Sequence, residues 1–158
     1  MEGMNTKEII KQIEELTEKR INNIIFDSDK DDWNKNTSVF DQRIWNKEYV
    51  IIIIEDSEGN KFGGYVNSKI DKIGTGECIN DSKSFVFSLE SNGRIEGMKK
   101  FDIKKSTIDI AVFKENDKTK SYCCQYSFEY EGIKSALCGK EYPNNYFTPK
   151  RIIVIEMK

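Results

Sequence analysis

Acidic residues near the start of the chain have the spacing of a metal-binding loop. Asp27, Asp29 and Asp31 match the first three ligand positions of an EF-hand calcium loop. The rest of the pattern fails, because Asp32 stands where that loop requires glycine and Ser38 where it requires a bidentate glutamate. Grouped carboxylates without the complete pattern are typical of a solvated acidic turn, so we expect no metal here.

The residue types that support covalent or acid–base catalysis are sparse. The chain contains no histidine, so neither a Ser-His nor a Cys-His nucleophile pair can be built. Asp56 and Glu58 have the chemistry of a glycosidase pair, but they lie in a turn sequence, where carboxylates are generally hydrated. No C-x-x-C spacing typical of zinc sites occurs among Cys78, Cys123, Cys124 and Cys138. We therefore expect no enzyme activity and no cofactor. The alternative is a small enzyme or ligand-binding protein that uses acidic loop residues.

A pair of glycines interrupts a strand-like stretch, Phe62-Gly63-Gly64-Tyr65. Residues without Cβ are needed where a strand bulges or another backbone packs closely against it, and also where a ligand approaches the backbone. Phosphate-loop spacing and a Lys-Ser/Thr ending are both absent. This favours the structural interpretation, with Tyr65 as a packing aromatic.

Length and composition describe one globular domain. The 158 residues include 33% charged and 37% apolar residues. A formal charge of −2 lacks the basic excess that binding to nucleic acid requires. No apolar run approaches the ~20 residues of a membrane span. The first residues also lack the apolar segment of a secretory signal, so we expect a cytoplasmic protein.

The first segment, residues 5–21, has the apolar spacing of an amphipathic helix. Its apolar stripe consists of Ile9, Ile13, Leu16 and Ile21, joined by Ile10 and Ile24. The stripe can dock onto the core of the domain or join two chains in a coiled coil. Two to three heptads are marginal for an independent coiled coil, so docking is favoured and a homodimer through this helix is the alternative. We divide the chain into an N-terminal helix, 1–23, and a domain, 24–158.

Short apolar segments separated by turn sequences follow, with a short helix predicted over 38–44. Segment 49–55 is apolar on both faces and indicates a buried central strand, which a turn joins to 61–66 as a hairpin. Further strands are predicted over 84–89, 108–113, 121–126 and 151–157. This pattern predicts a mainly β (α+β) fold, a two-sheet antiparallel β-sandwich edged by short helices.

The order of several motifs resembles that of TLDc domains. An FGGY-like strand at 62–65 is followed by Asp81-Ser82 and the alternating Phe85, Phe87 and Leu89, which resembles the D-s-x-x-F-x-F-x-L motif of that family. Earlier in the chain, Ser28 after an apolar run and Trp33 in the acidic loop look like the start of the family's domain. Glu156 is similar to the glutamate of its closing strand. The resemblance covers roughly residues 24–157.

The resemblance implies a sandwich with no established catalytic centre that acts by binding proteins. TLDc proteins are associated with protection against oxidative stress, and several bind the vacuolar proton-pumping ATPase and regulate its assembly. It therefore implies a cytoplasmic protein, peripheral at endolysosomal membranes, with a protein partner such as vacuolar ATPase subunits. Segment 121–140 departs from the family's Gly-rich pattern and looks like a divergent, protozoan-style version. The candidate interaction residues are Ser28, Trp33, Gly63, Gly64, Tyr65, Asp81, Ser82 and Glu156.

Overall fold

A computed structural model of the chain describes residues 6–32, 39–71, 83–90, 99–102, 110–111, 121–123 and 146–158. The described part is mainly β, as the sequence predicts. Its helices are α1 (Thr6–Thr17) and α2 (Phe40–Ile44). Its strands are β1 (Ile21–Asp27), β2 (Val50–Asp56), β3 (Lys61–Val66), β4 (Phe85–Glu90), β5 (Lys99–Asp102), β6 (Ile110–Ala111), β7 (Ser121–Cys123), β8 (Tyr146–Phe147) and β9 (Pro149–Met157).

Six strands form one antiparallel sheet in the order β1-β9-β2-β3-β4-β5, and β6-β7-β8 form a second, smaller one. The predicted hairpin is confirmed, because β2 pairs with β3 from Val50↔Val66 to Glu55↔Lys61. The last strand, β9, lies between β1 and β2. The sheet therefore joins the beginning of the chain to its end.

Helix α1 packs its apolar side chains into the core on one face of the larger sheet. Ile9 and Ile13 are buried in a cluster with strand residues that include Ile51, Phe87 and Ile155. Apolar burial of this kind is the main source of stability for a short helix, which is marginal by itself. At Ile9 and Ile13 the predicted apolar stripe therefore packs into the core of its own chain.

The helix is shorter than the apolar spacing predicts. It ends at Thr17, and Glu18 adopts a left-handed conformation with φ 56°, the backbone geometry that commonly follows a helix C-terminus. Ile21 and Ile24, which we expected on the helix, lie instead in β1, and Ile24 is 54% exposed. The reason is tertiary, because β1 pairs with β9, which helical spacing cannot reveal. The predicted boundary between residues 23 and 24 falls inside this strand.

The opposite face of the larger sheet is buried as well. Val50, Phe62 and Val154 are fully buried there, so the centre of the sheet is apolar on both faces, as segment 49–55 predicts. On β1, Phe26 packs edge-on against Phe40 of α2 with ring centroids 5.1 Å apart. The larger sheet is therefore packed on both faces, and the charged residues of β2 and β3 lie at the ends of these strands, at Glu55, Asp56 and Lys61.

Candidate functional site

Charged side chains form a row across five neighbouring strands near one end of the larger sheet. Following the strand order from β1 to β4, the row consists of Asp27, Arg151, Glu55, Lys61 and Glu90, with alternating sign. The register places Glu55 opposite both Arg151 and Lys61, and Lys61 opposite Glu90. Directly opposed residues of antiparallel strands share a face and lie within contact distance. We call these five residues the charge row.

The β1 end of the charge row is a buried ion pair. Arg151 donates from Nε to Asp27 Oδ1 at 3.0 Å and from Nη2 to Asp27 Oδ2 at 2.7 Å. The hydrogen bond from Arg151 holds the pKa of Asp27 below its usual value and raises the pKa of the guanidinium in turn. Arg151 Nε also lies 3.2 Å from Asp29 Oδ2. The two carboxylates therefore share one guanidinium.

The rest of the acidic loop is tied to β1 and α2. Asp31 accepts a hydrogen bond from the Asp27 backbone N–H at 2.8 Å and lies 3.4 Å from Arg43 Nη2. Arg43 also donates to the backbone carbonyl of Ile25 at 3.0 Å. The prediction of a solvated acidic turn is wrong for Asp27, which is 5% exposed. The carboxylates with calcium-like spacing are engaged by arginine side chains and backbone groups.

The β4 end of the charge row is a second ion pair. Lys61 Nζ donates to Glu90 Oε2 at 2.5 Å. The ammonium group lies on a nearly buried side chain, whereas Glu90 is exposed at the edge of the row. Lys61 therefore directs its charge toward β4, away from the centre of the row.

The central residue, Glu55, lacks a comparable partner. Its side chain is 5% exposed, and its Oε2 has no hydrogen-bond partner in the part of the chain that the structure describes. The other oxygen, Oε1, lies 3.6 Å from Lys150 Nζ, which is too long for a hydrogen bond. Buried carboxylates are normally paired and hydrogen-bonded because desolvating the charge is costly. Glu55 is thus the electrostatic exception in the charge row.

The turn between β2 and β3 uses its own carboxylate as an acceptor. Asp56 Oδ1 accepts from the backbone N–H groups of Glu58 at 3.0 Å and Asn60 at 2.9 Å, and Oδ2 accepts from Asn60 Nδ2 at 2.9 Å. Gly59 has φ 86°, a conformation that glycine adopts without strain. Asp56 is almost fully buried, and its described contacts organise the turn.

Two of the candidate residues from the sequence are tied to β9: Ser28 bonds to its backbone, and Glu156 is one of its residues. Ser28 donates its backbone N–H to the Ile152 carbonyl at 2.9 Å and accepts from the Ile152 N–H through Oγ at 2.8 Å. Glu156, near the other end of β9, accepts from Asn22 Nδ2 at 3.1 Å and lies 3.7 Å from Lys47 Nζ. These contacts are well separated along the strand, so the two residues do not form one site.

The glycine strand has a packing role at its first glycine. A Cβ at Gly63 would lie 1.8 Å from the backbone oxygen of Ile52 and 3.0 Å from Phe87 Cζ. Gly64 pairs with Ile52 and Val86 in the sheet. The close approach at Gly63 supports the structural interpretation, since the glycine strand packs against a neighbouring backbone.

Tyr65 has the packing role that the sequence predicts. It is buried against Phe85, with ring centroids 5.0 Å apart, and its hydroxyl hydrogen-bonds Asn67 Oδ1 at 3.1 Å. Trp33, Asp81 and Ser82 lie outside the described residues. The use of any candidate residue in partner binding stays a prediction.

The charge row was not identified from the sequence. A partial signal exists, because the predicted hairpin places Glu55 opposite Lys61 once the turn length is known. The pairing of Asp27 with Arg151 gives no such signal, since the two residues are 124 positions apart. Only the insertion of β9 beside β1 brings them together.

A sequence model of the TLDc domain family matches residues 2–129. The match includes α1 and ends within segment 121–140, the segment that departs from the family's Gly-rich pattern. The closing strand with Glu156 lies beyond the matched residues. No curated protein matches the chain. Among the described residues, neither helix is long and apolar enough to cross a membrane. With the family match covering most of its length, the chain belongs to the TLDc domain family.

Proposed function

We propose that this chain is a non-catalytic TLDc module that binds a protein partner in the cytoplasm. The observation that carries this proposal is the family match over residues 2–129. In the same proposal, the smaller sheet packs on the larger one as a β-sandwich, with the N-terminal amphipathic helix closing one side. The partner is a subunit of the vacuolar ATPase or another endolysosomal protein, in a pathway of resistance to oxidative stress.

The contacts of the acidic residues agree with a scaffold more than with catalysis. Asp56 organises a turn, and Asp27 is held by Arg151. A carboxylate with a lowered pKa is a weak base, which does not suit general acid–base work near neutral pH. A small enzyme built on these acidic loop residues is therefore the less favoured function.

An exposed aromatic residue offers an anchor for a partner. Trp45 follows α2 and is 46% exposed. Tryptophan is enriched among the residues that dominate the energy of protein interfaces, because it buries a large area with few rotatable bonds. Together with Trp33 of the acidic loop, it defines the first positions to test.

The test is an affinity capture from cell lysate followed by a direct binding measurement. The intact chain is immobilised, bound proteins are identified by mass spectrometry, and the purified peripheral sector of the vacuolar ATPase is titrated by biolayer interferometry. The variants are Trp45→Ala, Trp33→Ala and Asp81→Ala/Ser82→Ala, with Lys69→Ala as an exposed control. Thermal unfolding first verifies that each variant is folded.

The whole proposal is supported if the pump sector binds saturably and Trp45→Ala or another interaction variant weakens that binding at least tenfold. The control Lys69→Ala should leave the binding unchanged. Capture of a different endolysosomal protein with the same pattern rejects the pump and retains the interaction module. Absence of any captured protein or saturable binding contradicts the interaction role.

A further inference from the structure

One carboxylate oxygen of Glu55 is buried without a hydrogen-bond donor among the described residues. Burial removes water from this carboxylate, whose Oε2 has no hydrogen-bond partner among the described residues. A buried acceptor left unsatisfied destabilises the fold, and more so when it is charged. A donor that reached Oε2 would recover part of that cost.

The cations beside Glu55 do not supply that donor. Arg151 lies opposite Glu55 in the register, but its described hydrogen bonds go to Asp27. Lys61 lies opposite on the other side and donates to Glu90. The described hydrogen bonds of both flanking cations therefore go to the outer carboxylates and not to Glu55.

Lys150 contacts Glu55 loosely. Its Nζ lies 3.6 Å from Oε1, and its side chain is 62% exposed. An ion pair with so exposed a lysine contributes little to stability, so displacing the lysine has a low cost. Glu55 therefore has one oxygen in a loose ion pair and the other without a hydrogen-bond partner among the described residues. The arrangement favours an incoming cation.

We propose that Glu55 receives an arginine side chain of the protein partner, which displaces Lys150. A guanidinium has parallel N–H donors that satisfy both carboxylate oxygens at once, whereas an ammonium group acts as a single point charge. This inference rests on the proposed function, because it names the chemistry by which the partner is recognised at the charge row.

The test titrates the isotopically labelled intact chain with the peptide acetyl-Gly-Gly-Arg-Gly-Gly-amide and follows its backbone amide resonances by NMR. The matched control peptide carries citrulline, which keeps the shape of arginine but is neutral. We expect saturable shifts at Glu55, Lys150 and Arg151 with the arginine peptide only. Glu55→Gln should weaken binding at least tenfold, because the charge-assisted hydrogen bonds are lost.

Lys150→Ala provides the second test, since it leaves the Glu55 carboxylate in place if Glu55→Gln disturbs folding. It removes the competing cation, so binding of the arginine peptide should strengthen about threefold or more, a modest gain in line with an exposed ion pair. Equal shifts with the citrulline peptide, or no strengthening in Lys150→Ala, would overturn the inference.

The same variants separate this inference from the proposed function. If the chain binds its captured partner and neither Glu55→Gln nor Lys150→Ala changes the affinity, the arginine site is wrong and the interaction module stands. If no partner binds the wild-type chain, the proposed function fails, whatever the peptide titration shows.

Discussion

Arg151 of the last strand holds Asp27 of the first strand through two parallel hydrogen bonds, at 3.0 Å and 2.7 Å. The residues are 124 positions apart, and their pairing fastens β1 to β9 at one end of the charge row. Ser28 adds two hydrogen bonds to the backbone of Ile152 next to this pair. The edge of the sheet is thus anchored by side chains as well as by the strand ladder.

Replacing Asp27 with Asn should destabilise the chain by about 3 kcal/mol, the usual cost of breaking a buried ion pair by removing one partner. The lowered pKa of Asp27 gives a stabilisation that is present above the unfolded-state pKa of about 3.9 and is lost as the pH falls through the folded-state value. Urea unfolding between pH 7 and pH 3 measures both effects. The variant should lose less stability than the wild-type chain as the pH falls below about 4.

Asp29→Asn is the matched control, because its carboxylate meets the same guanidinium from an exposed position. Its effect at pH 7 should stay within about 1 kcal/mol. Equal losses in the two variants would contradict the assignment of Asp27 as the principal partner of Arg151.

Gly63→Ala should be severely destabilising, by about 4 kcal/mol or more, because the new Cβ would overlap the Ile52 carbonyl. Gly59→Ala is the control, since a Cβ there meets nothing within 4 Å and the cost is limited to strain at φ 86°, about 1 kcal/mol. Thermal unfolding of both variants gives the comparison. A Gly63→Ala protein as stable as Gly59→Ala would show that the strand can shift to accept a side chain.

Ile13→Ala should lower the free energy of unfolding by about 3 kcal/mol, because it removes a fully buried side chain of α1 from the core. Ile24→Ala, at an exposed position in β1, should change stability by less than about 0.5 kcal/mol. Light scattering should report the same monomer mass for both variants and for the wild-type chain. A dimer that dissociates in Ile13→Ala would instead assign the apolar stripe to self-association.

Asp56→Ala should cost about 2 kcal/mol, since the N–H groups of Glu58 and Asn60 lose their acceptor in a buried turn. Ser57→Ala, at an exposed position of the same turn, is the control and should be nearly neutral. Chemical denaturation and amide hydrogen exchange at the turn would measure the difference. Unchanged protection of the Asn60 amide in Asp56→Ala would refute the role given to the carboxylate.

Much of the local structure followed from the sequence. The bounds of β3 agree with the predicted 61–66, and those of β2 and β4 differ from prediction by one residue at each end, because alternation and turn chemistry act between near neighbours. The short helix α2 also lies within its predicted segment. The predicted end of α1 was wrong. Ile21 and Ile24 continue the helical spacing of apolar residues by coincidence, but both lie in β1.

Short-range physics therefore let the sequence determine that the segments of β2, β3, β4 and β9 form strands, that the fold is mainly β, and that its motifs belong to the TLDc family. The strands β1, β5 and β8 were not predicted. The tertiary structure alone decided that β9 inserts between β1 and β2, and this placed Asp27 beside Arg151 and left Glu55 in the middle of the charge row without a matched donor. Strand order depends on which apolar faces bury best together across the whole chain, and many pairings satisfy the same local pattern equally well.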